Sequence, residues 1–278
     1  LERGISIHLF CSILMPFDDA AIANRNRLPV SMRNLPPLPT VAKLVSGCKG
    51  RLREFVYQDT SGMMEAVVFD LDGTLLDTLE DLADSMNAVL AARGFPIHGS
   101  EAYRYFVGDG METLVRRALP HDDLSEKLVR QCTDAMKAEY AVRWADKTVA
   151  YNGIPELLHA LTSRGMPMAV LSNKPDEFTR LAVAELLKPW SFEPVCGARP
   201  DLPKKPDPTG ARSIAAALRV TPDHCLYLGD TRTDMETALG AGMFAVGVTW
   251  GFRPPTELEA AGAQALVDEP RDVVSLLD

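Results

Sequence analysis

Short apolar runs of strand length recur along the chain from residue 64 onward, and stretches with a helical period separate them. Each run is apolar at successive positions, which is typical of strands that a parallel sheet buries on both faces. The runs lie at residues 65–70, 168–172, 192–196, 225–229 and 244–248. Because helical stretches alternate with these strands, the pattern predicts a doubly wound α/β fold with a parallel sheet.

Apolar residues between the runs recur at the spacing of one helix face. In residues 155–164 this spacing places Leu157, Leu158 and Leu161 on the same face. Residues 178–187 and 209–218 show a similar pattern. We therefore expect these segments to be amphipathic helices that cover the sheet.

One long segment interrupts the alternation of strand and helix. Residues 78–148 contain four helical patterns and no run of strand type, with the helices expected at 79–93, 100–106, 111–119 and 123–144. We therefore predict an all-helical cap domain of residues 78–148. It is inserted into a core domain made of residues 63–77 and 149–278.

The first 62 residues differ in character from the rest of the chain. They contain a proline cluster at 35–39, scattered arginines and no sustained period. Met63 and Met64 stand directly before the first strand. We expect residues 1–62 to be an N-terminal extension that is disordered, or an artefact upstream of a natural start at these methionines.

Charge and composition exclude several kinds of partner. The 278 residues carry a formal net charge of -9, which disfavours binding to nucleic acid or to anionic lipid. No apolar stretch approaches the roughly 18 residues that a membrane span needs, and none of the five cysteines forms a CxxC pair. We predict a cytoplasmic monomer or homodimer that binds neither nucleic acid nor membrane. An anionic substrate would need a metal ion, a lysine or backbone N–H groups.

Polar side chains follow the predicted strands at their carboxyl ends, where ligands bind in open α/β sheets. The segments are Asp70 to Asp72 after the first run, Ser172 to Lys174 after the second, Asp230 to Asp234 after the run at 225–229, and Lys204 to Pro206 in a further loop. Carboxylates, a hydroxyl group and a lysine should therefore converge on one edge of the sheet.

These four segments, taken in chain order, resemble the motifs of the haloacid dehalogenase (HAD) superfamily. Residues 70–78, DLDGTLLDT, resemble the first motif, and residues 229–234, GDTRTD, resemble the fourth. Ser172 is similar to the second motif and Lys205, which directly precedes Pro206, to the third. The resemblance runs from residue 64 to the end of the chain. It implies a HAD-like Rossmannoid core and a phosphatase that uses Mg²⁺ on a small phosphate ester.

The resemblance also implies roles for the motif residues. Asp70 would be the nucleophile that forms an aspartyl phosphate. Asp72 would be the general acid and then the general base. Ser172 and Lys205 would hold the phosphoryl group.

A magnesium site is implied by the same motifs. Asp70 and Asp230 would bind Mg²⁺ through carboxylate oxygens, and Asp72 through its backbone carbonyl. Asp234 would orient the cluster or join the outer shell of the metal. Alternatively, Asp234 is a carboxylate that interacts with the dipole of a helix N-terminus.

Further motifs resemble the phosphoglycolate phosphatase group of the superfamily. They lie at 107–119, 172–175 and 248–252, and they make 2-phosphoglycolate the expected substrate. The substrate-binding candidates are Gly108, Asp109 and Gly110 in a cap loop, together with Arg117, Asn173 and Lys174. The core motifs leave three other enzymes open: a phosphomutase similar to β-phosphoglucomutase, a nucleotidase and a pyrophosphatase. A non-catalytic binding protein of this fold is a further alternative, although every catalytic motif is present.

Overall fold

A six-stranded parallel sheet forms the centre of the computed structural model, which describes residues 64–121 and 124–277. The strands of the chain are β1 Ala66–Phe69, β2 Leu76–Asp77, β3 Val149–Ala150, β4 Met168–Pro175, β5 Val195–Ala198, β6 Cys225–Gly229, β7 Phe244–Val248 and β8 Ala265–Val267. The order in the large sheet is β5-β4-β1-β6-β7-β8, and all neighbours are parallel. The prediction of a doubly wound α/β fold is confirmed.

Helices cover both faces of this sheet. The α-helices are α1 Leu79–Ala92, α2 Ser100–Phe106, α3 Met111–Ala118, α4 Glu126–Arg143, α5 Ile154–Ser163, α6 Asp176–Leu186, α7 Thr209–Leu218, α8 Arg232–Ala241 and α9 Pro255–Ala260, and 3₁₀ helices span Pro222–His224 and Pro270–Leu276. Central strand β1 shows why its run is apolar throughout. Val67 and Phe69 pack in the cluster that includes α5, whereas Ala66 and Val68 pack in the cluster of α7 and α8.

Helices α1 to α4 follow one another between the short strands β2 and β3. These two strands pair antiparallel, so the chain leaves and re-enters the core through one two-stranded ribbon. The four helices share an apolar cluster, which Phe178 and Phe252 of the core segment also join. The segment is helical as predicted, while the exact domain boundaries stay a prediction.

A buried carboxylate ties the first cap helix to the returning chain. Asp81 in α1 accepts hydrogen bonds from the backbone N–H of Lys147 (3.1 Å) and Thr148 (2.8 Å), and from the Thr148 hydroxyl (2.7 Å). Several donors on one buried carboxylate compensate for its lost hydration. Asp81 therefore fixes the two connections to each other beside the ribbon.

Several elements differ from the sequence-based expectation, and three of them have a clear physical reason. Strand β5 begins at Val195 rather than at residue 192, after Pro194, which has no N–H for a ladder hydrogen bond. Strand β8 has only three residues, too few to give a periodic pattern. Helix α4 begins at Glu126 because the Ser125 hydroxyl accepts a hydrogen bond from Leu128 N–H, which is a helix N-cap.

Two remaining expectations concern membrane spans and the N-terminal segment. No helix among the described residues is long and apolar enough to cross a membrane. The expected N-terminal extension, residues 1–62, lies outside the described residues.

Candidate active site

Three adjacent strands, β4, β1 and β6, bring the predicted motif residues to one edge of the sheet. Asp70 directly follows β1, Asp230 directly follows β6, and Ser172 lies in the second half of β4. All three side chains are buried. The convergence that the sequence predicts at the carboxyl edge is present in the structure.

A buried lysine lies between two of the carboxylates. Lys205 Nζ is 2.8 Å from Asp70 Oδ1 and 2.7 Å from Asp234 Oδ1. Burial by itself would lower the pKa of Lys205, but the charges of Asp234 and Asp70 raise this pKa well above its ordinary value. Lys205 is therefore an ammonium ion that faces the proposed nucleophile.

The Asn173 side chain holds the backbone of Lys205. Its Oδ1 accepts a hydrogen bond from Lys205 N–H (2.9 Å), and its Nδ2 donates to the Lys205 carbonyl (3.0 Å). The neighbouring Lys204 is exposed, whereas Lys205 is buried. The choice of Lys205 over Lys204 as the site lysine agrees with this placement.

Asp230 is enclosed by backbone on both sides. Its Oδ2 accepts a hydrogen bond from Phe252 N–H at 2.7 Å. A Cβ atom added to Gly73 would lie 2.3 Å from Asp230 Oδ2, and one added to Gly251 would lie 2.3 Å from Asp230 Cβ. Glycine at both positions is thus required for the backbone to approach this carboxylate.

Asp234 is the third residue of helix α8, and it closes a capping box with Thr231. Its Oδ2 accepts hydrogen bonds from Thr231 N–H (3.1 Å) and the Thr231 hydroxyl (2.6 Å), while its Oδ1 accepts one from Lys205 Nζ. The helix-capping alternative for Asp234 is therefore realised together with contact to the cluster. Both oxygens already have donors, which favours an orienting role toward Lys205.

Oxygens of Asp70, Asp230 and Asp234 lie within 4.8 Å of one another, so this acidic cluster could hold a metal ion. Burial and the nearby carboxylates raise the pKa of Asp70 to about 7, despite the opposing effect of Lys205. Burial, together with the charges of Asp234 and Asp70, raises the pKa of Asp230 well above its ordinary value. Asp70 Oδ1 is buried and has no hydrogen-bond donor among the described residues, although Lys205 lies close. A hard divalent cation suits buried oxygens that lack donors.

Asp72 forms an ion pair with a second buried lysine, Lys174. Lys174 Nζ donates a hydrogen bond to Asp72 Oδ1 at 2.8 Å and another to the Tyr140 hydroxyl at 2.7 Å. Burial would lower the pKa of Lys174, but Asp72 and Tyr140 raise it above its ordinary value. Ser172 lies beside this group, and its hydroxyl accepts a hydrogen bond from Lys174 N–H (3.3 Å).

The predicted cap loop lies directly over these residues. The Gly108 carbonyl accepts a hydrogen bond from Asn173 Nδ2 (3.2 Å), and a Cβ atom on Gly110 would lie 3.1 Å from the Asn173 carbonyl oxygen. Together they enclose a cavity with about 420 Å³ of space between atoms, part of it open to solvent. Its lining includes Gly108, Gly110, Tyr140 and Asn173, together with Asp70, Asp72, Ser172 and Lys174.

Asp109 and Arg117 are arranged differently from the other candidates. Asp109 accepts a hydrogen bond from the Thr233 hydroxyl (2.8 Å) and forms an ion pair with Arg117 (2.5 Å). Burial would raise the pKa of Asp109, but these two partners lower it. Neither residue lines the cavity, so a direct contact of Arg117 with substrate stays a prediction.

Comparison with known proteins shows that the chain matches the model of a known protein family. The model of the haloacid dehalogenase-like hydrolases matches residues 67–248, which contain Asp70, Asp72, Ser172, Lys205, Asp230 and Asp234. The chain belongs to the haloacid dehalogenase-like hydrolase family. The resemblance seen in the sequence is thereby confirmed.

Several relatives of the chain within this family are named phosphoglycolate phosphatases. A phosphoglycolate phosphatase of Pseudomonas putida is 34% identical over 209 residues, 74% of this chain and 76% of the relative. Phosphoglycolate phosphatase 1 of Pseudomonas aeruginosa is 31% identical over 76% of this chain and 79% of the relative. A crystal structure of a candidate phosphoglycolate phosphatase from Lactobacillus delbrueckii subsp. bulgaricus superposes with a TM-score of 0.72 at 28% identity, covering 78% of this chain and 99% of that one.

Sequence reasoning missed three residues that contact the site or the cap loop above it. Tyr140 reaches it from α4, and Thr233 contacts the cap loop from the first turn of α8. Arg253 is buried and donates a hydrogen bond to the Val107 carbonyl at 2.9 Å. Tyr140 carries no sequence signal beyond an apolar helix position. Thr233 and Arg253 lie within or beside the quoted motifs, which is the signal that would have found them.

Proposed function

We propose that this HAD-family chain is a Mg²⁺-dependent phosphomonoesterase whose nucleophile is Asp70. The observation that carries the proposal is the position of Asp70. It lies buried at the end of β1, 2.8 Å from the Lys205 ammonium group and within the acidic cluster, and it lines the same cavity as Asp72. Such a site combines a nucleophile, a cation and a proton donor, which are the groups that hydrolysis of a phosphate ester needs.

The reaction has two halves. First, an Asp70 oxygen bonds to phosphorus while the ester P–O bond breaks, and the Asp72 carboxyl group gives its proton to the leaving oxygen. Then Asp72 takes a proton from a water molecule whose oxygen attacks phosphorus of the aspartyl phosphate. Inorganic phosphate leaves and the Asp70 carboxylate is restored.

The remaining residues neutralise and orient the phosphoryl group. Lys205 and Ser172 would bind its oxygens, and Asp234 would keep Lys205 in place. Asp70, Asp230 and the backbone carbonyl of Asp72 would hold Mg²⁺. When bound, this ion supplies positive charge that offsets the repulsion between the phosphate dianion and the carboxylates.

The substrate we propose is 2-phosphoglycolate. The relatives described above support it by name, and cationic and polar groups line the cavity beside Asp70. Lys174 uses two of its three N–H groups on Asp72 and Tyr140, so one remains for the substrate carboxylate. Asn173, Gly108 and Gly110 would enclose the organic part of the substrate, and Asp109 with Arg117 would hold the loop that carries these glycines.

Phosphate release tests this proposal directly. A panel of phosphomonoesters that includes 2-phosphoglycolate is assayed with Mg²⁺ and with EDTA, for wild type and Asp70→Asn. We expect Mg²⁺-dependent release from wild type, greatest for 2-phosphoglycolate, and none from the variant. Release that persists in Asp70→Asn would refute the nucleophile. Activity that appears only with a sugar bisphosphate would identify a phosphomutase instead.

A further inference from the structure

A buried chain of three polar groups connects the cap segment to the proposed general acid. The Tyr140 hydroxyl, the Lys174 ammonium group and the Asp72 carboxylate are joined by contacts of 2.7 and 2.8 Å. Tyr140 is 1% exposed, and the side chains of Lys174 and Asp72 are 3% and 11% exposed. Solvent therefore competes little with these hydrogen bonds.

The lysine restricts the conformations of Asp72. A carboxylate at the edge of a cavity rotates among several rotamers unless a partner fixes one of its oxygens. Lys174 contacts Oδ1 alone, which leaves Oδ2 of Asp72 for proton transfer in the cavity. This arrangement fixes the orientation of the acid without occupying both of its oxygens.

The tyrosine restricts the lysine in turn. Tyr140 belongs to α4 of the cap segment, and its ring meets Phe178 of α6 edge to face, with ring centroids 5.1 Å apart. Lys174 Nζ also lies 4.5 Å from the centre of the Tyr140 ring. The position of the ammonium group thus depends on a residue that only the cap helix supplies.

We propose that Tyr140 and Lys174 are positioning residues that hold the Asp72 carboxyl group toward the leaving oxygen, and that proton transfer in the core therefore depends on α4 of the cap segment. The inference rests on the proposed phosphatase function. It assigns Tyr140 a role in the first half of the reaction, before the aspartyl phosphate is opened by water.

Three phosphate compounds of similar size, two alkyl esters and one acyl phosphate, separate a role in positioning the acid from other roles. The leaving oxygens of 2-phosphoglycolate and ethyl phosphate must be protonated as they depart, whereas acetyl phosphate releases the stable acetate anion and needs no acid. A substrate carboxylate is present only in 2-phosphoglycolate. The measured quantity is kcat/KM, which covers the steps up to departure of the leaving group and excludes hydrolysis of the aspartyl phosphate.

We expect Tyr140→Phe to lower kcat/KM about tenfold for both alkyl esters and less than about twofold for acetyl phosphate, since misplaced catalytic groups commonly cost about one to two orders of magnitude. Lys174→Met, the second variant, should lower kcat/KM more strongly for both alkyl esters than for acetyl phosphate, with the greatest loss for 2-phosphoglycolate, whose carboxylate the third N–H group of Lys174 would bind. Tyr103→Phe is the matched control. This cap tyrosine is also buried, and its hydroxyl donates to Asn87 Oδ1 at 2.7 Å. The Tyr103→Phe variant should not change the ratio of kcat/KM between the alkyl esters and acetyl phosphate.

Equal losses for all three compounds, or no loss, in Tyr140→Phe would overturn the proposal. A loss in Tyr140→Phe that is confined to 2-phosphoglycolate would also overturn it, because the pair would then act on the substrate carboxylate alone. Hydrolysis of none of the three compounds by the wild-type protein would reject the proposed function itself.

Discussion

Replacing Asp70 with asparagine removes a charge that burial opposes while keeping the shape of the side chain. The folded-state pKa of about 7 lies about three units above the ordinary value of 3.8. Each unit corresponds to about 1.4 kcal/mol. Above pH 7 and without metal, the ionised Asp70 therefore lowers the free energy of unfolding by about 4 kcal/mol. Asp70→Asn, which we expect to be inactive in the phosphatase assay, should be more stable than wild type by an amount approaching this figure.

The sign of the pH dependence follows from proton binding. Between about pH 4 and pH 7 the folded state keeps a proton on Asp70 that the unfolded chain has released. The contribution of Asp70 to the stability of the wild-type protein should therefore fall as the pH rises through this range and then level off. The variant lacks this group, so the difference between the two proteins should vanish below pH 4.

Urea unfolding in EDTA at pH 3.5, about 5.5 and about 8 measures this difference. Asp146→Asn makes the same change of charge at an exposed position and should alter stability by less than about 0.5 kcal/mol. Saturating Mg²⁺ should stabilise wild type more than Asp70→Asn, because the variant has lost one ligand. If Asp70→Asn is less stable than wild type at pH 8 in EDTA, the ion pair with Lys205 outweighs burial and the reasoning is wrong.

Three further predictions concern neighbouring contacts. Lys205→Met leaves buried carboxylates uncompensated, so in urea with EDTA at pH 8 it should lose about 3–5 kcal/mol of stability. Gly73→Ala places a Cβ atom against Asp230 at φ +88°, which should cost about 1–3 kcal/mol and weaken Mg²⁺ binding in calorimetry. Thr233→Val removes the hydrogen bond to Asp109, so KM for 2-phosphoglycolate should rise about threefold while the free energy of unfolding in urea stays the same. An unchanged KM would contradict a role for this contact in holding the cap loop.

The strands that were predicted correctly share a property that the sequence displays directly. The runs at 225–229 and 244–248 are buried along their full length, so apolar residues occupy every position. Strand β8 at the edge of the sheet is short and half-buried at two of its three residues, so its sequence resembles that of a loop. Predicting it requires knowledge that β7 needs a neighbour on that side.

The site residues also differ in how far the sequence predicts their positions. Asp70 and Asp230 were predictable because each ends a buried strand, and parallel strands place their ends together. Lys205 needed a family motif, because the neighbouring Lys204 has the same chemistry and only the fold buries one of them. Neither a strand end nor a family motif predicts the position of Tyr140, because its approach to the site depends on how α4 packs against the core residue Phe178.

Two aspartates only two residues apart acquire different surroundings because each is paired with a lysine from a different part of the core. Lys205 joins Asp70 to Asp234, and all three groups belong to the core segment. Lys174 joins Asp72 to the cap residue Tyr140. The proposed nucleophile is thus held by contacts that do not involve the cap, whereas the proposed acid is held by contacts that do. A cap that moves would then change the proton donor while leaving the nucleophile in place, so the Tyr140→Phe variant tests this division of the site as well as the role of one hydroxyl group.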